Sequence, residues 1–380
     1  KIKVVKKYII WATLITALIS FPIGWFTGSL IYLPLLFDEK GFFSPLIFQS
    51  QQKELSLLKY SIKNLQNYPY QSSFIVIKNE MNRTPDYVSY LFSFQTLNKT
   101  MTGQLNIPTT PSPAQGYPVI VMLRGYVPEE IYQTGTGTKA IAAIFAKNGY
   151  VTIAPDFFGF GESDLETEDS WEARLQKPIS VIELLKTIKD NPEITTDAGV
   201  TKLDDCGCKT GLWAHSNGGQ IALTVLEVSR QPMPTSLWAP VTVPFPYSIL
   251  FFSDEHDDEG KGMRKWVSMF EDDYDVFDFS LTQHLDKLSG SIQIHQGTSD
   301  DAVPSTWNDE FVDKIRVENQ RREKLLEEIK TSTQSGELET PLPPIGISYF
   351  KYPGADHNMK PSWDAVVQRD LVFFNEKLKN

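Results

Sequence analysis

The sequence predicts an α/β sandwich built round a mostly parallel β-sheet, with helices on both faces. β-Rich runs and helical patterns alternate from residue 119 onward, and the run at 119–123 is apolar throughout, as expected of a strand covered on both faces. A third observation is the turn at 211–219, where an apolar run meets a serine and two glycines before a helical pattern begins. Functional residues of open sheets collect where strands end, so this turn is the first candidate site.

Each element follows from its local pattern. Three β-rich runs bounded by turn residues predict antiparallel strands at the N-terminal edge of the sheet, at 73–77, 87–94 and 101–107. Parallel strands are predicted at 119–123, 150–155, 210–214, 236–240, 291–296 and 347–352. Helices are predicted at 138–148, 171–190, 220–228 and 363–378, and the charged run at 314–330 predicts a surface helix.

Composition and charge narrow the classes of function. The chain has 380 residues, of which 41% are hydrophobic and 22% charged, so it can bury a large core. Its formal net charge of −11 argues against nucleic acid as a partner, because phosphate binding needs a basic face. The sequence contains no P-loop and no dinucleotide glycine fingerprint after the first buried strand, so we expect no cofactor.

The two cysteines, Cys206 and Cys208, are separated by one glycine. A pair so close would make a strained disulfide, and the chain has no further cysteine with which to build a metal site. We therefore expect a loop with two free or loosely paired thiols. The acidic runs at 254–259 and 271–275 lack the alternate-residue spacing of a calcium loop, so we expect solvated loops and no metal.

Lysines precede a long uncharged run, 8–37, at the start of the sequence. Such a run is long enough to cross a bilayer, which needs about 20 apolar residues. The lysines would keep their end in the cytoplasm and place the remainder of the chain outside it. We therefore expect a single-pass anchor at 1–40 in the cell membrane. The alternative is a cleaved secretory signal.

Two further segments are expected after this anchor. Residues 41–70 read as a connector with an amphipathic helix at 52–65, which could lie on the membrane surface or pack on the α/β domain. The α/β domain itself spans 71–380. Within it, the segment 241–289 follows a strand and is rich in aromatic and acidic residues, where a lid over a site would be inserted.

The turn at 211–219 suits a strained serine that presents its hydroxyl. Ala214 and Gly218 flank Ser216 with small side chains, which let a strand and a helix approach closely around a sharp bend. The amide of Asn217 would point towards an oxygen in front of Ser216, at the positive end of the helix. The pattern is G-x-S-x-G with alanine in place of the first glycine.

A serine hydroxyl needs a base to take its proton, and the base needs an acid to orient it. The chain supplies candidates for both in the order serine, acid, histidine. Asp300 and Asp301 follow one strand, and His357 stands on a glycine-containing turn after the last strand. We expect the side chain of His215 to point away from the site. All four other histidines are interpreted as structural or lid residues: His215, His256, His284 and His295.

With these motifs the chain resembles the α/β hydrolases, in particular the catalytic domain of prolyl oligopeptidase and dipeptidyl-peptidase-type serine peptidases and related esterases. In that group the pattern G-x-x-D-x-x-V carries the acid, and Gly297, Asp300 and Val303 fit it. The resemblance thus implies that Asp300, not Asp301, is the acid. The turn at 156–163 matches D-x-x-G-x-G-x-S, which in the family shapes the edge of the site and is not catalytic.

The resemblance also implies an oxyanion hole. The family uses the amide after the nucleophile, here Asn217, and a second donor from the loop after the 119–123 strand. That loop reads Arg124-Gly125-Tyr126, where the family often has His-Gly-Gly. A tyrosine hydroxyl in this loop is the second donor in prolyl oligopeptidases, which implies Tyr126. A backbone amide at Gly125 or Tyr126 is the alternative.

The expected function is that of a membrane-anchored serine hydrolase, which forms an acyl-enzyme through Ser216, His357 and Asp300. We expect a peptidase-like enzyme that cleaves short peptides, with carboxylesterase action on acyl esters as the alternative. A catalytically silent, membrane-tethered binding module is the hypothesis of another class, although no triad member is missing. Acidic residues in the lid could favour a free amino terminus on the substrate.

Overall fold

The computed structural model describes residues 37–38, 41–42, 55–204, 206–253, 258–280, 283–331 and 341–379. The chain divides into two compact units, Lys1–Leu55 and Ser56–Asn380. In the first unit, β1 (Phe37–Asp38) pairs antiparallel with β2 (Gly41–Phe42). Apart from β1, the predicted anchor at 1–40 lies outside the described residues. Of the helices that the structure describes, none is long and apolar enough to cross a membrane.

The second unit is built on a large β-sheet. Its strands, in chain order, are β3 (Val76–Arg83), β4 (Tyr87–Thr96), β5 (Lys99–Pro108), β6 (Val119–Leu123), β7 (Val151–Pro155), β10 (Thr210–His215), β11 (Thr235–Trp238), β12 (Ser291–Gly297) and β13 (Gly346–Tyr352). A separate hairpin is formed by β8 (Glu193–Thr196) and β9 (Gly199–Lys202).

The spatial order of the sheet is β13-β12-β11-β10-β6-β7-β5-β4-β3. The strands from β13 to β7 run parallel to their neighbours. The strands β5, β4 and β3 are antiparallel and form the N-terminal edge. This topology confirms the predicted mostly parallel sheet with antiparallel edge strands.

Helices flank this sheet and supply the rest of the core. In chain order they are α1 (Ile62–Leu65), α2 (Lys139–Lys147), α3 (Ser170–Leu175), α4 (Lys177–Asp190), α5 (Asn217–Ser229), α6 (Tyr247–Phe251), α7 (Lys261–Glu271), α8 (Ser305–Thr331) and α9 (Trp363–Leu378). The charged run expected as a surface helix is the C-terminal part of α8.

Alternate residues of β6 face the two layers of helices. Val119, Val121 and Leu123 belong to a core that includes residues of α4 and α5, whereas Ile120 and Met122 belong to a core with residues of α2 and α9. All five side chains are fully buried. Successive side chains of a strand point to opposite faces, so an unbroken apolar run is what a strand between two helix layers requires.

The predicted helix at 171–190 is interrupted at Gln176, which is the C-cap of α3 and the N-cap of α4. Pro178 lies in the first turn of α4. Proline lacks a backbone N–H and is favoured in the first turn of a helix, so it marks the new start. This junction places the residues from Arg174 to Pro178 beside the candidate site.

From Ser56 onward, the connector packs on the α/β domain. Ser56–Tyr60 form a 3₁₀ helix, and Ser61 then caps α1, its hydroxyl accepting from the Asn64 amide at 3.3 Å. The helix predicted at 52–65 is therefore divided at Ser61. Four of its residues are buried in the core of the second unit, namely Leu57, Tyr60, Ile62 and Leu65, whereas Leu58 is exposed.

The segment expected as a lid, 241–289, holds α6, α7 and two short 3₁₀ helices, Val276–Asp278 and Leu285–Lys287. Its aromatic residues pack on α3. The ring of Trp266 stacks on that of Trp171 with a centroid distance of 3.5 Å. The ring of Phe270 also contacts Trp171, with a centroid distance of 4.3 Å. The lid segment is thus part of the packed domain.

Cys206 and Cys208 form a disulfide. The expectation of free or loosely paired thiols is wrong. The glycine between them, Gly207, has a φ of +64° and makes a tight turn that brings the two Cα atoms to 5.2 Å. That separation lies within the range that a disulfide spans.

Candidate active site

Ser216 stands between β10 and α5 in a conformation that residues other than glycine rarely adopt, with φ 56° and ψ −124°. Its amide donates to the Trp238 carbonyl at 2.9 Å, and its carbonyl accepts from the amides of Gly219 at 2.9 Å and Val241 at 3.1 Å. These bonds hold the strained backbone in place. A strand-to-helix turn of this kind presents the serine hydroxyl at the end of the sheet.

Two glycines make room for this turn. A Cβ at Gly218 would lie 2.2 Å from the carbonyl oxygen of Leu123, and one at Gly219 would lie 2.5 Å from Cβ of Pro240. Both distances are far below van der Waals contact. The small residues are therefore needed so that α5 can start against the end of β6.

Asp300 and His357 meet at the ends of β12 and β13. Nδ1 of His357 lies 3.0 Å and 2.9 Å from the two carboxylate oxygens of Asp300. The Asp300 side chain is 0% exposed and that of His357 is 18% exposed. Asp301, by contrast, is exposed. The geometry therefore pairs His357 with the first of the two aspartates.

Three further donors hold the Asp300 carboxylate. They are the amides of Ala302 (3.0 Å) and Val303 (2.8 Å) and Nε2 of Gln296 (3.1 Å). Burial opposes ionisation of Asp300, but the bonds from His357, Val303 and Gln296 outweigh it and keep the pKa of Asp300 below its ordinary value. Asp300 is thus an ionised acceptor that can orient an imidazole.

His215 joins the serine to this pair. Its ring lies 4.6 Å from the ring of His357, and its Nε2 is 3.0 Å from the His357 carbonyl oxygen. The expectation that the His215 side chain points away from the site is wrong, because β10 ends directly under the loop that carries His357. Burial, and then the neighbouring His357, lower the pKa of His215 to about 4, so its ring is neutral at pH 7.

Ser216 follows His215, whose ring contacts that of His357. A bond between the Ser216 hydroxyl and the His357 imidazole is not among the hydrogen bonds of the described residues. Such bonds are often long before substrate binds. The structure therefore shows the link between the acid Asp300 and the base His357.

The loop after β6 lies against Ser216. A Cβ at Gly125 would be 2.8 Å from Cβ and 3.4 Å from Oγ of Ser216. The side chain of Tyr126 is 80% exposed, and within the described ranges its hydroxyl makes no hydrogen bond. Asn217 starts α5, where backbone N–H groups lack helical partners. These positions favour backbone amides over the Tyr126 hydroxyl as donors to a substrate oxygen.

Arg124, which the sequence pattern gave no role, supports this loop from below. Its guanidinium is buried and donates to the carbonyl oxygens of Gly125 at 3.0 Å and Asp156 at 2.9 Å. It also lies 4.1 Å from the ring of Phe160 and 4.5 Å from that of Tyr132. Because C=O and N–H point opposite ways in a trans peptide, holding the Gly125 carbonyl also fixes the direction of the next amide.

The Asp156 side chain anchors the turn at 156–163. It accepts from hydroxyls of Thr102 at 2.6 Å, Tyr132 at 2.6 Å and Thr134 at 2.9 Å. A Cβ at Gly161 would lie 2.3 Å from its Oδ2, which accounts for the second glycine of the motif. Burial raises the pKa of Asp156 above its ordinary value although these bonds oppose it. Arg124 joins this turn to the loop after β6, because it binds the carbonyl oxygens of both Gly125 and Asp156.

His295 is fully buried and belongs to a polar network on the far side of the sheet. Its Nε2 lies 3.0 Å from Oδ1 of Asp370, and its Nδ1 lies 2.7 Å from the hydroxyl of Tyr352. His284 contacts the Phe277 carbonyl at 3.0 Å on the lid. Both fit the interpretation as structural or lid residues, whereas His256 lies outside the described residues.

A cavity of about 60 Å³ opens beside Asn217. Its walls come from the connector, the α3–α4 junction, α5 and the lid. The lining residues are Tyr60, Ile62, Leu65, Arg174, Leu175, Lys177, Pro178, Asn217, Gln220, Ile221, Thr224, Phe245 and Phe279. Asn217, which directly follows Ser216, is in this lining, whereas Ser216, Asp300 and His357 are not.

Solved structures share this architecture. Acetyl xylan esterase 1 from Thermoanaerobacterium sp. JW/SL YS485 superposes with a TM-score of 0.56 at 11% identity, over 84% of this chain and 98% of that one. The chain has the α/β-hydrolase fold. An S-formylglutathione hydrolase from Agrobacterium tumefaciens shares this α/β-hydrolase fold with a TM-score of 0.51 at 16% identity, over 80% and 99% of the two chains.

A puromycin-hydrolysing peptidase from Mycobacterium tuberculosis shares the α/β-hydrolase fold as well. It matches with a TM-score of 0.51 at 13% identity, over 78% of this chain and 40% of the peptidase. No protein-family model and no curated protein sequence matches the chain. At these identities the comparisons describe the fold, so the chemistry has to be argued from the site.

Proposed function

We propose that the chain is a serine hydrolase that transfers an acyl group from its substrate to water. One observation carries the proposal: His357 is hydrogen-bonded to the buried Asp300, and its ring lies 4.6 Å from that of His215, the residue before a serine held in a strained strand-to-helix turn. A nucleophile, a base and an orienting acid at the end of one sheet are what acyl transfer needs.

In the proposed mechanism Ser216 Oγ attacks the substrate carbonyl carbon while His357 Nε2 takes the hydroxyl proton. Asp300 stays ionised and holds the imidazole through Nδ1. The tetrahedral intermediate collapses when His357 returns the proton to the leaving group, which departs and leaves an acyl-enzyme. Water, deprotonated by His357, then attacks the acyl carbon, and Ser216 regains its proton as the acid is released.

The negative oxygen of the intermediate needs donors in front of Ser216. The Asn217 amide at the start of α5 supplies one, and the loop at Gly125 and Tyr126 supplies the other. Each such donor is worth about 3–4 kcal/mol to the transition state. The proposal uses the backbone amides here, because the Tyr126 side chain is exposed.

Acyl esters are the substrates that the site favours. The cavity beside Asn217 is small, and its lining holds two cationic side chains, Arg174 and Lys177, and no acidic one. A peptidase that recognises a free amino terminus needs an acid near the scissile bond. Short peptides remain the second candidate, supported by the likeness to the puromycin-hydrolysing peptidase.

Active-site labelling tests the chemistry. The purified full chain should react with a fluorophosphonate probe, and Ser216→Ala should abolish both labelling and turnover. Ser229→Ala, at the other end of α5, is the matched control and should label normally. Labelling that survives in Ser216→Ala would refute the proposal. A protein that neither labels nor turns over any acyl substrate would instead support a silent binding module.

A substrate panel separates the two candidates. We expect p-nitrophenyl esters of short acids to be hydrolysed with a higher kcat/KM than aminoacyl and dipeptidyl p-nitroanilides. A preference for the anilides by tenfold or more would make the peptidase the better assignment.

We further propose that residues 1–40 anchor the enzyme in the cell membrane with residues 71–380 outside the cytoplasm. The lysines and the uncharged run at 8–37 support this topology. Protease added to intact cells should digest the hydrolase domain. A domain that is digested only after the cells are opened would reverse the assignment.

A further inference from the structure

The cavity beside Asn217 has a charged wall that the proposed mechanism does not use. Arg174 lies in the last turn of α3, and Lys177 is the first residue of α4. Both line the same cavity as Asn217, whose amide would bind the oxyanion. Because Asn217 directly follows Ser216, this cavity is the candidate binding space for a group attached to the reacting carbonyl.

Glu166 attracts both cations, but only Lys177 forms an ion pair with it. Lys177 pairs with Glu166 at 3.6 Å. The guanidinium of Arg174 makes no hydrogen bond and no ion pair with any residue that the structure describes, and its nearest aromatic neighbour is Trp266, with the ring centroid 5.7 Å away. Burial lowers the pKa of both groups. An arginine stays charged in proteins, so the wall keeps a net positive charge.

Most of the remaining lining is apolar, with Gln220 and Thr224 among the polar exceptions. Ile62, Leu65, Leu175, Ile221 and Phe279 are all buried. The volume of about 60 Å³ is room for roughly four water-sized groups, since one water needs about 10–15 Å³ on this measure. Such a space accepts a chain of a few atoms and excludes long or branched acyl groups.

We propose that the cavity selects short acyl groups that end in a carboxylate, such as the succinyl group of a hemiester, with Arg174 as the principal anion-binding residue and Lys177 as the second. This inference rests on the proposed function, because it takes Ser216 as the nucleophile. Arginine binds a carboxylate through two parallel N–H groups, and the partly apolar surroundings strengthen the attraction. The chain as a whole has a formal net charge of −11, so this positively charged wall differs in sign from the rest of the molecule.

Two matched esters test the proposal. p-Nitrophenyl butyrate and mono-p-nitrophenyl succinate both have a four-carbon acyl chain and differ by a terminal methyl or carboxylate. For the full-length enzyme we expect kcat/KM to be at least about tenfold higher for the succinate, because a hydrogen bond to a charged group is worth about 1.5–3 kcal/mol. Arg174→Gln should lower the succinate-to-butyrate ratio by about 10- to 100-fold, and Arg174→Lys should restore part of it.

Lys186→Gln is the matched control. It removes a lysine from the same helix, α4. Nζ of Lys186 lies 2.7 Å from the carboxylate of Asp190, and Lys186 does not line the cavity. The ratio should stay within twofold of the parent value. A fall as large as that of Arg174→Gln would show a general charge effect and would overturn the assignment of Arg174.

The outcomes separate this proposal from the proposed function. If neither ester is hydrolysed, the proposed function itself fails. A second outcome is that p-nitrophenyl butyrate is hydrolysed through Ser216, the succinate ester has no higher kcat/KM, and Arg174→Gln leaves the succinate-to-butyrate ratio unchanged. The proposed hydrolase function then stands, and the proposal of an anionic acyl site is wrong. If 4-carboxyphenyl butyrate is preferred over phenyl butyrate in an Arg174-dependent way while the succinate is not, the carboxylate belongs to the alcohol side, and the acyl assignment is overturned.

Product inhibition gives a measurement that needs no variant. With p-nitrophenyl butyrate as the substrate of the parent enzyme, we expect the inhibition constant of free succinate to be at least about tenfold lower than that of free butyrate. Equal inhibition by the two acids would contradict the proposal.

Discussion

The guanidinium of Arg124 spans two carbonyl oxygens, those of Gly125 and Asp156, at 3.0 and 2.9 Å. Lysine has a compact ammonium on a flexible stem and lacks the rigid planar fork that holds both oxygens in a fixed geometry. We expect Arg124→Lys to lower kcat about 100-fold with little change in KM, because a misplaced oxyanion donor costs transition-state binding.

Steady-state kinetics on a p-nitrophenyl ester will measure this effect. Arg83→Lys on β3, an exposed pair with Glu80, is the control and should behave as the parent. A kcat for Arg124→Lys within twofold of the parent would show that the loop holds its position without the arginine.

Glu227 lies inside α5 with both carboxylate oxygens buried and without a hydrogen-bond partner among the described residues. Burial, with a smaller contribution from Asp286, raises the pKa of Glu227 well above its ordinary value. The folded protein therefore holds this proton more tightly than the unfolded chain does. Stability linked to Glu227 is full below the ordinary glutamate pKa and is lost as the pH rises towards the folded pKa.

Replacing this acid should stabilise the fold. We expect Glu227→Met to raise the free energy of unfolding by about 1–3 kcal/mol, the usual cost of an unsatisfied buried polar group, and to do so more at pH 8 than at pH 4. Urea denaturation at the two pH values measures the difference. Glu193→Met on β8, where the side chain is exposed, should show neither gain nor pH dependence.

At this scale the sequence predicted the residues whose chemistry is written in local motifs. Ser216, Asp300 and His357 each stand in a short pattern after a strand, so their order and spacing were informative. Arg124, Arg174 and His215 were missed because their roles depend on neighbours that fold next to them from distant segments. The 4.6 Å between the rings of His215 and His357 joins residues 142 positions apart.

Helix α9 packs on the sheet through apolar side chains and also through one buried carboxylate. Asp370 is fully buried and accepts from the side chains of Ser236 (2.5 Å), Trp238 (2.8 Å) and Gln293 (3.0 Å), while His295 lies 3.0 Å away. Removing Asp370 would leave these donors unpaired in the core. We expect Asp370→Ala to lower the free energy of unfolding by about 3–5 kcal/mol.

Thermal or urea unfolding measures this loss, and Asp364→Ala in the exposed first turn of the same helix is the control. The control should lose less than about 1 kcal/mol, the worth of an acid at a helix N-terminus. Equal losses in the two variants would mean that the buried network contributes nothing specific.

The boundaries of elements were less predictable than their kinds. The helix expected at 171–190 is two helices, and the connector helix is divided at Ser61. Pro178 is a local signal for a new helix start, whereas the 3₁₀ geometry of Ser56–Tyr60 follows from packing on the domain. Local signals can be read from a sequence, and tertiary packing cannot.

For the molecule as a whole, the periodicity of the chain predicted the sheet and its two helix layers, because a strand buried on both faces must be apolar at every position. The place of the connector could not be predicted. Its amphipathic pattern suited a membrane surface and a protein surface equally, and only the fold shows that residues 56–65 pack within the second unit and bury Leu57, Tyr60, Ile62 and Leu65 there.

Shortening the chain from its beginning tests this assignment. Removal of residues 1–55 should leave the unit from Ser56 onward stable, because that unit is compact by itself. Removal of residues 1–71 should cost at least about 4 kcal/mol of unfolding free energy, because it withdraws four buried side chains worth about 1.5–3 kcal/mol each: Leu57, Tyr60, Ile62 and Leu65. Equal melting temperatures for the two shortened chains would show that the connector is dispensable.

The connector also forms hydrogen bonds to α3. Lys59 and the hydroxyl of Tyr60 both bind the carboxylate of Glu172, at 2.8 Å and 2.5 Å, two positions before Arg174. Residues 56–65 therefore line one side of the cavity and contact the helix that carries Arg174. They include none of the proposed catalytic residues. Diversifying Ile62 and Leu65 is thus a route to enzymes that take longer or differently charged acyl chains while their reaction steps stay the same.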